Sequence, residues 1–239
     1  MSLTPEQIQF FRHNGFIKLP GILSEETVVK LREKILKDIR DVVEPISRDR
    51  QGRVVRISNI WDRDPIFRDA VACPQVIKPL QSLLGPNIEL IKNRHNHATL
   101  RLADEDSDQL HRDVLQWSRT IVTVIFYLEN TTVENGCTRV VPGTHLLPGT
   151  QALYFDKDEK TRSSGLLDQA LPVPMPAGGM IAIDSTLIHG AGRNYTSNTR
   201  MSMTMGYHSV DELSNAENPK RVLISGERIY MGNDRKQGY

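Results

Sequence analysis

The chain has 239 residues, of which 38% are hydrophobic and 25% charged, and its formal net charge is +1. This length and composition suit a single globular domain, so we expect one domain over residues 1–239. The balanced charge gives no indication of a nucleic-acid or membrane partner, and two cysteines are too few for a disulfide framework. We find no basic leader and no long apolar run, and therefore expect a cytoplasmic protein.

Short helices and strands are predicted in the N-terminal part, at about residues 1–85. Thr4 and Gln7 have the residue types and spacing of a capping box, so a helix begins there. Gly15 ends that helix, a brief strand follows, and Ser24 caps a longer helix whose apolar residues recur at helical spacing. Further predicted elements are a strand at residues 54–61 and a helix at residues 65–84.

Strands predominate from residue 86 onward. The clearest is Ile121–Leu128, a run of β-branched and aromatic residues. Alternating methionines and polar residues in Arg200–His208 predict a strand with one buried face. Segment Leu147–Leu171 and residues 209–239 lack periodicity and are predicted to be lids. Helices first and strands afterwards favour a mainly β fold, an antiparallel barrel or double sheet with buttressing N-terminal helices.

Two imidazoles and one carboxylate are the candidate metal ligands. Alternate side chains of an extended segment share a face, so His111 and Asp113 point the same way and Arg112 points away. A second histidine, His189, is followed by Gly190 and other small residues that leave room for a bound group. This ligand set suits non-haem iron(II) and leaves three positions for a bidentate 2-oxo acid and O2. We therefore expect His111, Asp113 and His189 to be the metal-binding and catalytic residues.

An arginine and a serine on the strand after His189 are candidate carboxylate ligands. Arg200 and Ser202 share a strand face; the guanidinium offers paired donors and the hydroxyl a third. We expect these two residues to bind the distal carboxylate of 2-oxoglutarate. A lone HxD triplet is also typical of a solvated surface turn, but its combination with His189 and Arg200 favours a metal site.

The order of these motifs resembles the phytanoyl-CoA dioxygenase family of iron(II)- and 2-oxoglutarate-dependent oxygenases. The segments that carry the resemblance are, in chain order, FFRHNGFIKLPGILSEETVVKLR, HRD, VTVIFYLENTTVENGCTRVVPGTH, DSTLIHGAG and NTRMSM. The resemblance covers most of residues 5–208 and implies a double-stranded β-helix (jelly-roll) core at about residues 86–208. It also implies that Thr123 helps to bind 2-oxoglutarate and that Trp117 lines the substrate side. Asn96 is the candidate for the cosubstrate contact that a lysine-bearing strand makes in the family.

The implied activity is oxidation of a small-molecule metabolite, in specialised metabolism, coupled to conversion of 2-oxoglutarate to succinate and CO2. Halogenating relatives have a small residue where Asp113 stands, so we expect hydroxylation or a related oxygenation. Epimerisation, desaturation and cyclisation stay open, because each needs only a different fate for the substrate radical. A non-catalytic jelly-roll binding module is the third alternative, although such a module has no need for three metal ligands and Arg200. The oligomeric state also stays open.

Several other polar residues have both a structural and a functional interpretation. Arg56 and Arg139 are typical of solvated surface cations, and are candidate substrate contacts if the substrate is anionic. His95 and His97 share a strand face and either line the pocket or are ordinary polar strand residues. We expect His145 to be a structural hydrogen-bonding residue.

Overall fold

The structure is a computed structural model that describes residues 1–103, 108–114, 120–147, 155, 159–214 and 216–229. Its α-helices are α1 (Pro5–Asn14), α2 (Glu25–Arg40), α3 (Ile60–Arg63), α4 (Pro65–Val71), α5 (Pro74–Leu84) and α6 (Glu159–Ser163). Its strands are β1 (Phe16–Leu19), β2 (Ile46–Arg48), β3 (Val54–Ser58), β4 (Ile88–Ile91), β5 (His97–Arg101), β6 (Ile121–Tyr127), β7 (Thr138–Val140), β8 (Leu171–Val173), β9 (Met180–Asp184), β10 (His189–Ala191), β11 (Arg200–Ser209) and β12 (Arg221–Ser225). Within the described ranges, none of the helices has the length and hydrophobicity needed to cross a membrane.

The N-terminal helices begin and end where local sequence signals place them. The Thr4 hydroxyl accepts from the Gln7 N–H and the Gln7 side chain accepts from the Thr4 N–H, which is the predicted capping box of α1. Gly15 ends α1 in the left-handed conformation, with φ at 80°. The Ser24 hydroxyl caps α2 by accepting from the Thr27 N–H. These predicted helix boundaries are confirmed.

Two predicted elements are each divided in the structure. Residues 65–84, predicted as one helix, form α4 and α5, because Cys73 is extended (φ −67°, ψ 155°) before a proline. The predicted strand at residues 54–61 ends at Ser58. Its last residues belong to α3, which follows Asn59 in a left-handed conformation at φ 57°. Both corrections come from single residues whose backbone conformation interrupts a regular pattern.

The strands form two antiparallel sheets that pack against each other. The large sheet has the order β1-β9-β6-β11-β5-β3-β2, with β4 also pairing with β11 and β12 with β4. The small sheet has the order β10-β7-β8. One buried cluster contains Tyr127 and Ile181 of the large sheet together with Val140 and Val173 of the small sheet. This is the expected mainly β, jelly-roll architecture.

The segments on either side of the predicted core, residues 86–208, also contribute to the large sheet. Strand β1 pairs with β9, with Phe16 opposite Ile183. Strand β3 pairs with β5. Strand β12 pairs with β4, so residues 221–225 of the predicted C-terminal lid are a sheet strand. The N-terminal part and the jelly-roll core therefore share one continuous sheet.

Candidate active site

A backbone bridge brings the two candidate histidine ligands together. The His111 N–H donates to the His189 carbonyl at 2.8 Å, and the His189 N–H donates to the His111 carbonyl at 2.9 Å. Residues that exchange both hydrogen bonds in an antiparallel pair lie directly opposite each other. The two imidazole centroids are 4.7 Å apart. This pairing explains how motifs distant in sequence meet in one place.

Asp113 completes the group of predicted metal ligands. Its N–H donates to the Ser185 carbonyl at 2.9 Å. Its Oδ1 lies 4.0 Å from His111 Nε2, and its Oδ2 lies 3.9 Å from His189 Nε2. Arg112 points away, as expected, and donates to a backbone carbonyl oxygen of a neighbouring turn at 2.6 Å. The three ligand residues offer atoms that all lie within 4.8 Å of one another, as a single ion requires.

Each imidazole is oriented by a backbone carbonyl oxygen. His111 Nδ1 lies 2.9 Å from the Gln109 oxygen, and His189 Nδ1 lies 2.9 Å from the Leu187 oxygen. A hydrogen bond there keeps the proton on Nδ1 and leaves the Nε2 lone pair free for a metal. Burial lowers the pKa of His189, with a partial offset from Asp113, and this favours the neutral, ligating form.

The Asp113 carboxylate has polar neighbours that favour its ionised form. The Thr123 hydroxyl donates to Asp113 Oδ2 at 2.6 Å and lies 3.0 Å from the Ser185 hydroxyl. His95 Nε2 lies 3.1 Å from Asp113 Oδ1. Burial would raise the pKa of Asp113, but His189, the other neighbouring histidine and Thr123 together hold it well below its usual range. Two imidazoles and one ionised carboxylate fit a ferrous ion.

A cavity of about 430 Å³ lies beside the three ligands. Alternate residues of two neighbouring strands line it, namely Arg200, Ser202 and Thr204 of β11 and His97, Thr99 and Arg101 of β5. These residues are directly opposite one another in the antiparallel register. The alternation of side chains along both strands therefore gives the cavity one polar wall.

Arg200, the predicted cosubstrate residue, faces this cavity as a buried cation. Its side chain is 5% exposed, and its Nε has no hydrogen-bond partner among the described residues. Burial lowers the pKa of Arg200, because a charged guanidinium is costly to remove from water. Such a group is stabilised when an anion approaches it. Ser202, the second predicted donor, lines the same cavity.

Three other predicted contacts have different outcomes. Thr123 lines the cavity, but its hydroxyl donates to Asp113, so its contact with 2-oxoglutarate stays a prediction. Asn96 is not among the described residues that line the cavity. Its amide accepts from one backbone N–H and donates to one backbone carbonyl, each at 2.9 Å. It fixes the start of α3 rather than facing a ligand. Trp117 lies outside the described residues.

The candidate substrate-binding arginines occupy different surroundings. Arg56 lines the cavity, and its Nη2 lies 2.9 Å from His97 Nδ1. Arg139 donates to two backbone carbonyl oxygens beside the cavity, at 3.0 and 3.3 Å. His95 and His97 both line the cavity, which favours the pocket interpretation of that pair. His145 Nε2 lies 3.0 Å from a backbone carbonyl oxygen, in agreement with a structural role.

Sequence reasoning missed an ion pair in the cavity wall. Arg101 Nη2 lies 2.5 Å from Asp108 Oδ1, and both residues line the cavity. Arg101 could have been found, because it is four residues after His97 and alternation places both on one strand face. Asp108 follows an irregular acidic stretch that carries no periodic signal.

The fold and this site together define the class of the protein and its family. A jelly-roll with a centre of two histidines and one carboxylate beside a cavity that holds a buried arginine is the architecture of an iron- and 2-oxoglutarate-dependent oxygenase. The family model described as phytanoyl-CoA dioxygenase (PhyH) matches residues 11–202. The chain belongs to the phytanoyl-CoA dioxygenase family, which confirms the expectation from its sequence motifs.

Individual relatives agree with this placement. The peroxisomal phytanoyl-CoA dioxygenase of Rattus norvegicus is 28% identical to this chain over an alignment of 240 positions, which covers 87% of this chain and 69% of the relative. The structure of the α-ketoglutarate-dependent epimerase SnoN from nogalamycin biosynthesis has a TM-score of 0.76 at 19% identity, covering 92% of this chain and 98% of SnoN. EctD from S. alaskensis, solved with 2-oxoglutarate and 5-hydroxyectoine, has a TM-score of 0.76 at 20% identity, covering 87% of this chain and 77% of EctD. The two solved structures share the fold.

Proposed function

We propose that this chain is an oxygenase that binds iron(II) through His111, Asp113 and His189 and uses O2 to oxidise a small-molecule metabolite. Arg200 and Ser202 bind the cosubstrate 2-oxoglutarate. One observation carries the proposal: three ligand atoms within 4.8 Å of one another and a buried guanidinium without a described partner for its Nε belong to the same cavity. Structural metal sites are usually closed by four protein ligands, whereas three ligands leave positions for reactants.

The chain's own residues contribute orientation and shielding. When bound, iron would supply the chemistry that splits 2-oxoglutarate into succinate and CO2, with one oxygen atom of O2 entering succinate and the other oxidising the substrate. Arg200 and Ser202 hold the distal carboxylate through charge-assisted and neutral hydrogen bonds. Thr123 holds the Asp113 carboxylate, and backbone carbonyls hold the two imidazoles. His189 and Arg200 are each 5% exposed, so their burial shields these groups from bulk water.

Hydroxylation or a related oxygenation is the reaction that we propose. Asp113 supplies a protein carboxylate at the metal position, which argues against halogenation. The alternative is that the same oxidant epimerises, desaturates or cyclises a natural-product intermediate. The fold shared with the epimerase SnoN supports this alternative. Mass analysis of the product separates the two, because hydroxylation adds one oxygen atom and epimerisation leaves the mass unchanged.

Formation of succinate tests the proposed function. The protein is loaded with iron(II) without O2, then exposed to 2-oxoglutarate and O2, and succinate is measured over time. With ascorbate supplying the two electrons that an absent substrate would give, we expect slow uncoupled succinate formation by the wild type and none by His189→Ala. His13→Ala is the matched control, because His13 is an exposed histidine on α1. Succinate formation by His189→Ala at the wild-type rate would contradict the proposal, as would failure of the wild type to form any.

We also infer a cytoplasmic location and a small-molecule partner. Both cysteines, Cys73 and Cys137, are free, which suits a reducing compartment. The formal net charge of +1 provides no strong attraction for nucleic acid.

A further inference from the structure

Arg56 is a further cation of the cavity, on the far side of β5 from Arg200. It lies on β3 opposite Thr99 of β5, and Thr99 in turn lies opposite Ser202 of β11. Residues directly opposite one another on neighbouring strands share a sheet face. Arg56 therefore faces the same cavity as Arg200 and Ser202, the predicted 2-oxoglutarate-binding residues, but from a different strand.

The polar partner of Arg56 in the described part of the chain carries no charge. Arg56 Nη2 lies 2.9 Å from His97 Nδ1, and Arg56 Nε has no hydrogen-bond partner among the described residues. Burial, together with Arg56 itself, lowers the pKa of His97 to about 3, so this ring is neutral at physiological pH. Partial burial also lowers the pKa of Arg56, with no described carboxylate to offset it. A half-buried guanidinium in this situation is stabilised by a bound anion.

The other charges of the cavity already have counterparts. Arg101 pairs with Asp108 at 2.5 Å. Asp113 faces the position of the metal ion, and Arg200 is assigned to 2-oxoglutarate. Among the cavity-lining residues that the structure describes, Arg56 is the cation that these assignments leave without an anion.

The position of Arg56 connects it with the metal ligands. The His97 ring centroid is 6.0 Å from that of His95, and His95 Nε2 is 3.1 Å from Asp113 Oδ1. A molecule whose anionic group lies at Arg56 can therefore extend along this wall toward the ligands. A cavity of about 430 Å³ has room for small organic ligands of this kind.

We propose that the primary substrate carries a carboxylate or phosphate group, which Arg56 binds through its Nε and Nη donors while His97 holds the guanidinium in place. This inference rests on the proposed function, because assigning Arg200 to 2-oxoglutarate leaves Arg56 for the substrate. Arg56 is thus a specificity-determining residue that selects anionic small molecules. Paired donors of one guanidinium match the two oxygens of such a group.

Fluorine NMR with matched acid and neutral probes tests this inference. The protein, loaded with iron(II) and 2-oxoglutarate in the absence of O2, is titrated separately with para-fluorobenzoate, para-fluorophenyl phosphate and para-fluorobenzamide. We expect saturable line broadening for at least one of the two anions and none for the neutral amide. The relative affinities of the two anions distinguish a carboxylate-bearing substrate from a phosphate-bearing one.

Three variants assign the binding to Arg56. Arg56→Gln keeps a donor for His97 but removes the charge, and we expect it to weaken anion binding roughly tenfold to hundredfold. Arg56→Lys keeps the charge without the paired donors, so an intermediate affinity is expected. Arg53→Gln is the matched control, because Arg53 is exposed and pairs with Asp49 at 2.7 Å, and its affinity should equal that of the wild type.

The visible charge-transfer absorption of bound iron and 2-oxoglutarate distinguishes the two possible failures. If the wild type does not develop this absorption, the proposed function fails and the inference fails with it. If the absorption is present, the inference alone is overturned by any of three results. These are no saturable anion binding, equal binding of the amide, or undiminished anion affinity in Arg56→Gln. The comparison of acid with amide uses only the wild type, so it holds even if a variant does not fold.

Discussion

The two faces of strand β11 separate stability from chemistry. On one face, Met201, Met203, Met205 and Tyr207 are each at most 1% exposed and pack in the main core beneath the helices. On the other face, Arg200, Ser202 and Thr204 line the cavity. The apolar face stabilises the fold by burial, whereas the polar face is costly to bury until a ligand binds it. Substitutions on the apolar face should therefore lower the free energy of unfolding, whereas substitutions on the polar face should weaken ligand binding.

Loss of a metal ligand should have the largest effect on activity. We expect His111→Ala or His189→Ala to lose iron and to lower succinate formation by more than about a hundredfold. Each variant removes a side chain that binds the metal directly, and loss of a residue that only orients a metal ligand already costs about tenfold to a hundredfold. Iron content after dialysis and succinate assays check this. His13→Ala should retain both. A variant at either position with full iron content would refute that ligand assignment.

Loss of the Arg200 guanidinium should impair 2-oxoglutarate binding without removing the metal. We expect Arg200→Ala to raise the 2-oxoglutarate concentration needed for half-maximal succinate formation by about a hundredfold, as for loss of a buried charge partner. The 2-oxoglutarate requirement of Arg200→Lys should lie between those of the wild type and Arg200→Ala, because lysine keeps the charge and loses the paired donors. Iron content should be unchanged in both variants. An unchanged 2-oxoglutarate requirement in Arg200→Ala would show that another residue holds the carboxylate.

Thr123 should have a smaller effect, because it acts through Asp113. We expect Thr123→Ala to weaken iron binding by about tenfold, and Thr123→Ser to retain wild-type affinity through its hydroxyl. Competition with a chelator measures both affinities. The alternative outcome is a changed 2-oxoglutarate requirement with normal iron affinity. That result would favour the cosubstrate contact that the family resemblance implies.

The apolar face of β11 should give the smallest effect on turnover. We expect Met203→Ala to lower the free energy of unfolding by about 2 to 5 kcal/mol, because Met203 is fully buried and its truncation leaves a cavity. Urea unfolding measures this change. Succinate formation well below the unfolding midpoint should stay within about twofold of the wild type. A large loss of turnover in a folded Met203→Ala protein would show that the two faces are not independent.

Local rules predicted the parts of the molecule that depend on neighbouring residues in sequence. The capping box at Thr4 and Gln7 and the buried methionine face of β11 follow from short-range geometry alone. The same alternation placed His111 and Asp113 on one side of an extended segment. Alternation could not predict the bridge between His111 and His189, because that pairing joins segments that are distant in sequence.

The prediction for Asn96 illustrates where local rules stop. Asn96 follows His95, which has a left-handed conformation with φ at 63°, so strand alternation does not extend to it. Its amide instead bonds to the backbone at Trp61 and Lys92, a tertiary arrangement that no periodicity encodes. Asp108 was missed for a similar reason, because its pairing with Arg101 depends on how a loop meets β5.

Anaerobic titration with iron(II) in the presence of 2-oxoglutarate tests the central claim most directly. The claim is that His111, Asp113 and His189 hold one ferrous ion while Arg200 anchors 2-oxoglutarate in the same cavity. We predict that the visible charge-transfer absorption saturates at one iron per chain and is abolished in His189→Ala. Absence of saturable absorption in the wild type, or the same titration curve in His189→Ala, would contradict the claim.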